Sequence, residues 1–236
     1  EEAVLKNIDF VCQKGQKIAV IGSTGSGKST LVKLMNRFYD VSRGSIEING
    51  VDIRKYNLES LRAQIGYVAQ KAHMFKGSIQ SNICFGKPEA SVEEMVHAAT
   101  VAQASDFIST REHGYEDEIA EDGTNISGGQ KQRLSIARVI LKKPSLYIYD
   151  DSFSALDFKT DATLRKALKP EVKNAIFFVV AQRISTIMDS DMIIVLDEGQ
   201  IIGMGTHAQL LKDCSVYQEI AHSQLTQKEL DDYERN

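Results

Sequence analysis

The chain has 236 residues, of which 42% are hydrophobic and 25% are charged, a balance typical of folded globular proteins rather than disordered ones. Its formal net charge is −4, so it lacks the positive field that non-specific nucleic-acid binding requires, and we expect no nucleic acid among its partners. Three widely spaced cysteines match neither a zinc motif nor a disulfide framework, which favours a reducing cytosolic setting. The longest strongly apolar stretch, 175–181, is far too short to cross a bilayer.

Strand and helix patterns alternate along the chain, which predicts an α/β core with a mainly parallel sheet. The predicted strands are 4–11, 17–22, 45–49, 65–69, 146–149, 175–180, 192–196 and 200–204, and the last two form an antiparallel portion that turns at Glu198-Gly199. Helices are predicted at 28–39, 91–104, 131–141, 159–168 and from Thr206 to Leu211. We expect a core of about 1–70 and 142–223, an inserted helical subdomain of about 71–141, and a polar tail, 224–236.

A glycine-rich loop between a predicted buried strand and a predicted helix has the spacing of a P-loop. Glycines let the backbone approach phosphates closely, and the amides at the helix start point at phosphate oxygens. Lys28 supplies a point charge for the β- and γ-phosphates, and the Ser29 hydroxyl is a ligand for Mg²⁺. This loop predicts a nucleoside triphosphate site but cannot separate kinases, GTPases, helicases and transport ATPases. Its residues are Gly22, Ser23, Thr24, Gly25, Ser26, Gly27, Lys28, Ser29 and Thr30.

Two acids, Asp150 and Asp151, follow the apolar strand 146–149. Ligands of open α/β sheets bind at the carboxyl ends of the strands. Asp150 is suited to holding Mg²⁺ through a water molecule. Asp151 is a candidate for polarising the attacking water, with the alternative that it only caps the turn that follows.

The motif Ser127-Gly128-Gly129-Gln130 lies between these motifs, at the start of a predicted helix where small residues form an anion-binding nest. Over essentially the whole chain, the combination resembles the nucleotide-binding domain of ATP-binding cassette (ABC) transporters. The resemblance implies an ABC ATPase fold, a P-loop NTPase core with an inserted helical subdomain, that binds ATP and Mg²⁺. It further implies a head-to-tail dimer, in which this signature motif meets the γ-phosphate held by a second nucleotide-binding domain.

Other positions of the sequence resemble the exporter branch of this family. Gln70 resembles the glutamine that senses Mg²⁺ and the γ-phosphate, and the loop 154–157, ending in Asp157, resembles the one that crosses the dimer interface. The run 74–83 resembles the segment that receives the coupling helices of the transmembrane domain. The resemblance therefore implies a membrane partner, fused or associated, and a place on the cytoplasmic face of the cell membrane.

The sequence departs from the family pattern at the catalytic positions. Asp151 stands where the family usually has a glutamate base, and it is shorter by one methylene. Gln182 stands where the family has a switch histidine; glutamine can hydrogen-bond a γ-phosphate but cannot become cationic. We expect the aromatic residue that stacks on adenine in the family to lie upstream of Glu1, and we therefore expect weakened nucleotide binding by this chain. This pair of substitutions resembles the degenerate half of heterodimeric exporters, including multidrug types, so we expect the isolated domain to bind Mg-ATP and hydrolyse it slowly.

Several alternatives stay open from the sequence. The exporter reading also allows a homodimer that works with aspartate as its base. Other classes are a soluble ABC ATPase that acts on nucleic acid or the ribosome, an importer ATPase subunit, and a purely regulatory nucleotide-binding module. The long coiled-coil insertions or basic clusters of the soluble class are not visible in the sequence, and the run 74–83 argues against the importer class.

Overall fold

The structure is a computed structural model of the chain, and it describes residues 3–225. The strands of this part are β1 (Lys17–Ile21), β2 (Glu47–Ile48), β3 (Val51–Asp52), β4 (Ile65–Val68), β5 (Gly77–Ser78), β6 (Glu118–Ile119), β7 (Leu146–Asp150), β8 (Ile176–Val180), β9 (Met192–Asp197) and β10 (Gln200–Gly205). Its helices are α1 (Lys28–Met35), α2 (Leu58–Gln64), α3 (Ile79–Ile83), α4 (Val92–Val101), α5 (Ser105–Ser109), α6 (Gly128–Lys142), α7 (Phe158–Val172), α8 (Ile184–Ile187), α9 (His207–Asp213) and α10 (Ser215–Gln224).

The chain divides into two compact units. The first combines Glu1–Arg62 with Ile176–Asn236, and the second is Ala63–Ala175. The helical subdomain expected at 71–141 falls within the second unit, and its bounds remain a prediction. The polar tail expected at 224–236 lies outside the described residues, apart from Gln224 and Leu225.

The sheet of the first unit has the strand order β10-β9-β1-β8. β1 runs parallel to β8 on one side and to β9 on the other, and β10 pairs antiparallel with β9. All but the first residue of β1 is buried, as expected for an apolar run covered on both faces. Because β1 and β8 are parallel, with Val20 opposite Val180, the residues that follow both strands emerge at the same edge.

Turn chemistry explains the antiparallel portion of this unit. Glu198 and Gly199 connect β9 to β10, and both have positive φ, 42° and 77°, as a two-residue hairpin turn requires. Asn49 and Gly50 connect β2 to β3 in the same way, with φ of 52° and 75°. The predicted strand 45–49 is thereby reduced to β2.

The predicted strand 4–11 is wrong: the structure assigns no strand to these residues. Asn7 has φ 52°, which interrupts an extended backbone. The segment contacts the sheet region through a backbone hydrogen bond of 2.8 Å from Lys6 N to Gly199 O. Val4 and Val11 are exposed, whereas Leu5, Ile8 and Phe10 are partly buried, and the Phe10 ring stacks on buried Phe178.

The second unit combines a parallel strand pair with helices. β4 pairs with β7, with Val68 opposite Tyr149, so the residues after both strands again lie at one edge. Ser91 caps α4 through a complete capping box with Glu94, as predicted. α6 packs against α4 and begins at Gly128, earlier than the predicted 131, because its cap is the signature serine. The mixed α/β class, with parallel and antiparallel strands, is confirmed.

Candidate functional site

The phosphate loop occupies the turn from β1 to α1. A Cβ atom at Gly22 would lie 1.9 Å from the main-chain oxygen of Leu196, so no side chain fits there. Gly27 is the N-cap of α1 with φ 103°, a conformation that strongly favours glycine. The loop therefore needs glycine at these two positions for its own backbone geometry. From the sequence pattern alone, these glycines were attributed to phosphate binding.

Lys28 lies across this loop. Its Nζ donates to the main-chain oxygens of Gly22 at 2.8 Å and Ser23 at 2.6 Å, and to Ser26 Oγ at 3.3 Å. The first turn of α1 carries no acidic residue, so the positive end of the helix dipole is not neutralised there. An ammonium group and the amides of a helix start at one turn suit a polyphosphate, so the residues fit the nucleotide expected from the sequence.

The second unit holds Asp150 at the end of β7, where it is 8% exposed. Tyr67 of β4 donates its hydroxyl to Asp150 Oδ2 at 3.2 Å. Burial and the negative charge of Asp150 raise the pKa of Tyr67 to about 12, so the phenol remains a neutral donor at physiological pH. Sequence reasoning missed Tyr67, although its place in the strand beside the acids was a usable signal.

Asp151 adopts a left-handed backbone conformation, with φ 47°, which Asp and Asn tolerate better than most residues. Its main-chain oxygen accepts from Ser154 Oγ at 2.7 Å, which closes the turn that follows. Its carboxylate accepts from Gln70 Nε2 at 3.0 Å. The structure thus brings together Gln70 and Asp151, two residues predicted separately, at the edge where β4 and β7 end.

Gln132 connects this cluster to the signature helix. Its Nε2 donates to the main-chain oxygen of Ala69 at 3.1 Å, directly before Gln70, and its side chain is buried in α6. No motif in the sequence analysis included Gln132. Its position two residues after the signature motif is the signal that could have drawn attention to it.

The signature motif is the N-terminus of α6. Ser127 Oγ accepts from Gln130 N at 3.2 Å, and Gln130 Oε1 accepts from Ser127 N at 2.9 Å, forming a capping box. A Cβ atom on Gly129 would lie 3.4 Å from the main-chain oxygen of Ala155, so the helix start abuts the 154–157 loop. Asp157 caps α7 by accepting from Thr160 N at 3.0 Å, and hydrogen bonds from the side chain and the backbone N–H of Thr160 lower the pKa of its carboxyl group.

Gln182 lies in the loop after β8, which we call the switch loop (residues 181–183). Ala181 N donates to Val20 O at 3.1 Å, which fixes the start of this loop beside the end of β1. Gln182 therefore follows its strand at the sheet edge from which the phosphate loop also emerges. The two predicted elements of the first unit share one edge.

Two aromatic side chains form an exposed pair at the segment expected to receive coupling helices, with Phe75 inside the run 74–83 and Phe85 two residues after it. Phe75 and Phe85 stack with ring centroids 4.3 Å apart and are 46% and 58% exposed. The Arg138 guanidinium lies 5.4 Å and 5.7 Å from the two ring centroids. Buried Asn82 pairs with both the N–H and the C=O of Phe75, at 2.9 Å and 2.8 Å. We call Phe75, Phe85 and Arg138 the aromatic patch.

Among these side chains, Asp150 is the carboxylate expected to hold a metal ion. Within residues 3–225, no three His, Cys, Asp or Glu side chains form a cluster that could hold a metal ion. Mg²⁺ is commonly held by one or two carboxylates together with water and substrate phosphates, so Asp150 fits this ion without a larger cage. Nowhere in the described part of the chain is a helix long and apolar enough to span a membrane.

The fold and these motifs define a nucleotide-binding P-loop domain of the ABC type. The family profile described as "ABC transporter" matches residues 5–154, more than half of the chain, and the chain belongs to this family.

Relatives in three organisms agree with this membership. The chain is 44% identical over 224 residues to an "Uncharacterized ABC transporter ATP-binding protein" of Mycobacterium tuberculosis, covering 94% of this chain and 38% of that protein. It is 44% identical over 220 residues to the Bacillus subtilis "Putative multidrug export ATP-binding/permease protein YgaD", covering 93% of this chain and 38% of that protein. Heavy metal tolerance factor 1 of Caenorhabditis elegans is 43% identical over 225 residues, covering 95% of this chain and 28% of that protein.

A solved structure described as a bacterial Atm1-family ABC exporter with ATP bound matches with a TM-score of 0.91 and 38% identity. The match covers 93% of this chain and 39% of that chain. The chain thus spans less than half the length of these relatives.

Proposed function

We propose that this chain is the ATP-binding motor domain of an ABC exporter. ATP binding closes a head-to-tail dimer of two nucleotide-binding domains, and hydrolysis reopens it. Transport energy comes from the higher affinity of the closed state for ATP. The observation that carries the nucleotide-binding part of the proposal is the phosphate loop, in which Lys28 Nζ donates to the main-chain oxygen of Gly22 and no side chain fits at Gly22. Family membership and the likeness to a multidrug export ATP-binding/permease protein support the exporter part.

Each part of the nucleotide has a proposed ligand in the chain. Lys28 and the amides of residues 26–30 bind the β- and γ-phosphates. Ser29, Gln70 and Asp150 bind Mg²⁺, which neutralises phosphate charge when it is bound. The hydrogen bond of Tyr67 supports these roles by orienting the Asp150 carboxylate.

The chain's own hydrolytic site is degenerate in this proposal. A positioned general base contributes about 10²–10⁴ in rate, and it must reach the attacking water within about 2.6–3.2 Å. Asp151 is one methylene shorter than the family glutamate, and its carboxylate accepts from Gln70. Gln182 replaces a side chain that can become cationic. Together these features support slow turnover of the bound Mg-ATP.

The signature motif serves a second nucleotide-binding domain. Ser127, Gly128 and Gly129 open α6 without an acidic residue in its first turn, which favours an anion at this helix start. Asp157 and the loop before it contribute to the dimer interface. Because the signature motif is intact, this chain completes the competent site of a heterodimer partner.

The transmembrane partner docks on the aromatic patch. The exposed rings of this patch are large apolar side chains that Arg138 and Asn82 hold in place, as expected of a contact that transmits motion. The name of the Bacillus subtilis relative, an ATP-binding/permease protein, supports a membrane-embedded partner. This proposal places the domain at the cytoplasmic face of the membrane.

Calorimetric titration of the 236-residue chain with Mg-ATP tests the nucleotide site. The wild type and Lys33→Ala bind with the same affinity, because Lys33 is an exposed lysine in the last turn of the same helix. Lys28→Ala weakens binding by about tenfold to a hundredfold, as expected when a hydrogen-bonded charge is removed. Equal affinities for Lys28→Ala and the wild type would refute the proposed function.

A purely regulatory module is the second candidate, and the substituted catalytic positions favour it. Such a module binds Mg-ATP through Lys28 but contributes no hydrolysis even in its assembled dimer. Measuring the two sites of that dimer separately distinguishes the candidates, because the motor domain retains slow turnover that depends on Asp151.

A further inference from the structure

The side-chain amide of Gln224 bridges two main-chain groups of the switch region, by which we mean the switch loop together with α8 (residues 181–187). Its Nε2 donates to Gln182 O at 2.8 Å, and its Oε1 accepts from Ile184 N at 2.9 Å. The carboxamide thus makes the two hydrogen bonds that a residue of a neighbouring parallel strand would make. One is with the C=O of a residue, and the other is with the N–H of the residue two positions later. Gln224 is the last residue of α10, 42 positions away from Gln182, so the bridge joins distant parts of the chain.

The helix that carries Gln224 is held firmly. Tyr217 of α10 is fully buried, and its hydroxyl lies 2.7 Å from Nδ1 of His207 in α9. Gln218 Nε2 donates to Leu211 O at 2.7 Å, which ties α10 to α9 by a second contact. The exposed Gln224 side chain is therefore carried by a helix that packs firmly against α9.

The switch region has further anchors in the first unit. Ala181 N donates to Val20 O at 3.1 Å, so β1 fixes the residue before Gln182. Lys17 Nζ donates to Thr186 O at 2.9 Å and pairs with Asp189, which fixes the end of α8. Between these anchors, the main chain of 182–184 is oriented by the bridge from Gln224.

We propose that Gln224 is a positioning residue for nucleotide recognition: by holding the main chain on both sides of Arg183, it sets the direction of the Gln182 side chain. This inference rests on the proposed function and on a hydrogen bond from Gln182 to the γ-phosphate, the role that its place at the family's switch position implies. The C-terminal helix then determines how well the domain distinguishes ATP from ADP, because only ATP offers that phosphate.

Gln224→Met tests the proposal, since methionine keeps the length of the side chain and removes both hydrogen-bonding groups. Gln218→Met is the matched control: it makes the same exchange on the same helix without touching the switch loop. It removes the bond to Leu211, while buried Tyr217 still holds α10 against α9. The full chain is titrated with the magnesium complexes of AMP-PNP, a non-hydrolysable ATP analogue, and of ADP. We expect Gln224→Met to weaken AMP-PNP binding by about threefold to tenfold, the effect of one or two lost hydrogen bonds, and ADP binding by less than about twofold. Gln218→Met changes neither affinity by more than about twofold.

Hydrogen exchange at the Ile184 amide, measured without nucleotide, tests the bridge itself. We expect exchange at this amide to become at least about tenfold faster in Gln224→Met and to stay unchanged in Gln218→Met. Unchanged exchange in Gln224→Met, or an equal loss of AMP-PNP and ADP affinity, would overturn the inference. If the wild type binds AMP-PNP, and Gln224→Met distinguishes AMP-PNP from ADP as well as the wild type does, the inference is refuted and the proposed function stands. If the wild type binds neither nucleotide, the proposed function fails and the inference with it.

Discussion

At the scale of single residues, the strongest constraint is the close backbone approach at Gly22. A Cβ atom there would overlap the main-chain oxygen of Leu196, which cannot rotate away as a side chain would. Gly128, at the start of α6, has no atom within 4 Å of the same hypothetical Cβ atom. The two glycines, one from the phosphate loop and one from the signature motif, thus have different structural requirements.

This contrast predicts opposite effects on stability. Gly22→Ala lowers the free energy of unfolding by about 1–3 kcal/mol, the usual cost of overpacking. Gly128→Ala leaves it unchanged or raises it by up to about 1 kcal/mol, because alanine is the better helix former. Urea denaturation measures both variants, and equal destabilisation would contradict the geometry at Gly22.

Tyr67 gives a prediction in alkaline solution. Its pKa in the folded chain, about 12, lies above its ordinary value of 10.0, so the unfolded chain releases this proton first. The stabilisation is therefore complete below pH 10 and is lost as the pH rises toward 12, at no more than about 1.4 kcal/mol per pH unit. Tyr147 adds a second loss with the same sign, since burial also raises its pKa to about 12.

Tyr67→Phe should therefore make the free energy of unfolding fall less steeply between pH 10 and 12. Tyr39→Phe removes the hydroxyl of a tyrosine that is 64% exposed and serves as the control with an unchanged slope. Urea titrations at several pH values measure the free energy of unfolding. If this free energy falls as steeply with pH in Tyr67→Phe as in the wild type, the raised pKa of the Tyr67 phenol is ruled out.

At the scale of elements, two helices begin with the same capping motif, but only one of these caps belongs to the signature motif. Ser91 and Ser127 each close a capping box, at the starts of α4 and α6. Replacing either serine by alanine should lower the free energy of unfolding by about 1 kcal/mol. The two variants are therefore matched in stability, and any difference in function belongs to the signature motif.

Self-association in Mg-ATP provides that functional comparison. If the proposed head-to-tail contact also forms between two copies of this chain, Ser127→Ala weakens ATP-dependent association by about tenfold or more, because it removes the proposed hydrogen bond to the γ-phosphate held by the other copy. Ser91→Ala associates as the wild type does. Light scattering measures both, and equal association by the two variants would remove Ser127 from the proposed interface.

Elements with a strong local signal were predictable from the sequence, and contacts between distant segments were not. The apolar run of β1 and the cap of α4 rest on neighbouring residues, so their patterns indicated them correctly. The bonds of Tyr67 to Asp150 and of Gln132 to Ala69 join residues 83 and 63 positions apart, and only the fold brings them together. Residues 4–11 alternate like a strand, but Asn7 turns the backbone out of the extended region.

At the scale of the whole molecule, the chain combines an intact phosphate loop and signature motif with two substituted catalytic positions. If Asp151 and Gln182 limit the rate, Asp151→Glu together with Gln182→His should raise ATP turnover by about tenfold to a hundredfold, part of the contribution of a positioned base. Asp213→Glu, at the end of α9, is a carboxylate-lengthening control that leaves turnover unchanged. Unchanged turnover in the double variant would argue that the site is not degenerate in the proposed way.

The most direct measurement is a single-turnover experiment with γ-labelled ATP bound to the 236-residue chain in Mg²⁺. The proposed function predicts that labelled ATP stays with the protein through rapid gel filtration and is then hydrolysed slowly, and that Lys28→Ala retains far less of it. Rapid hydrolysis by the wild type that Asp151→Asn abolishes, or a failure of the wild type to retain ATP at all, would contradict it.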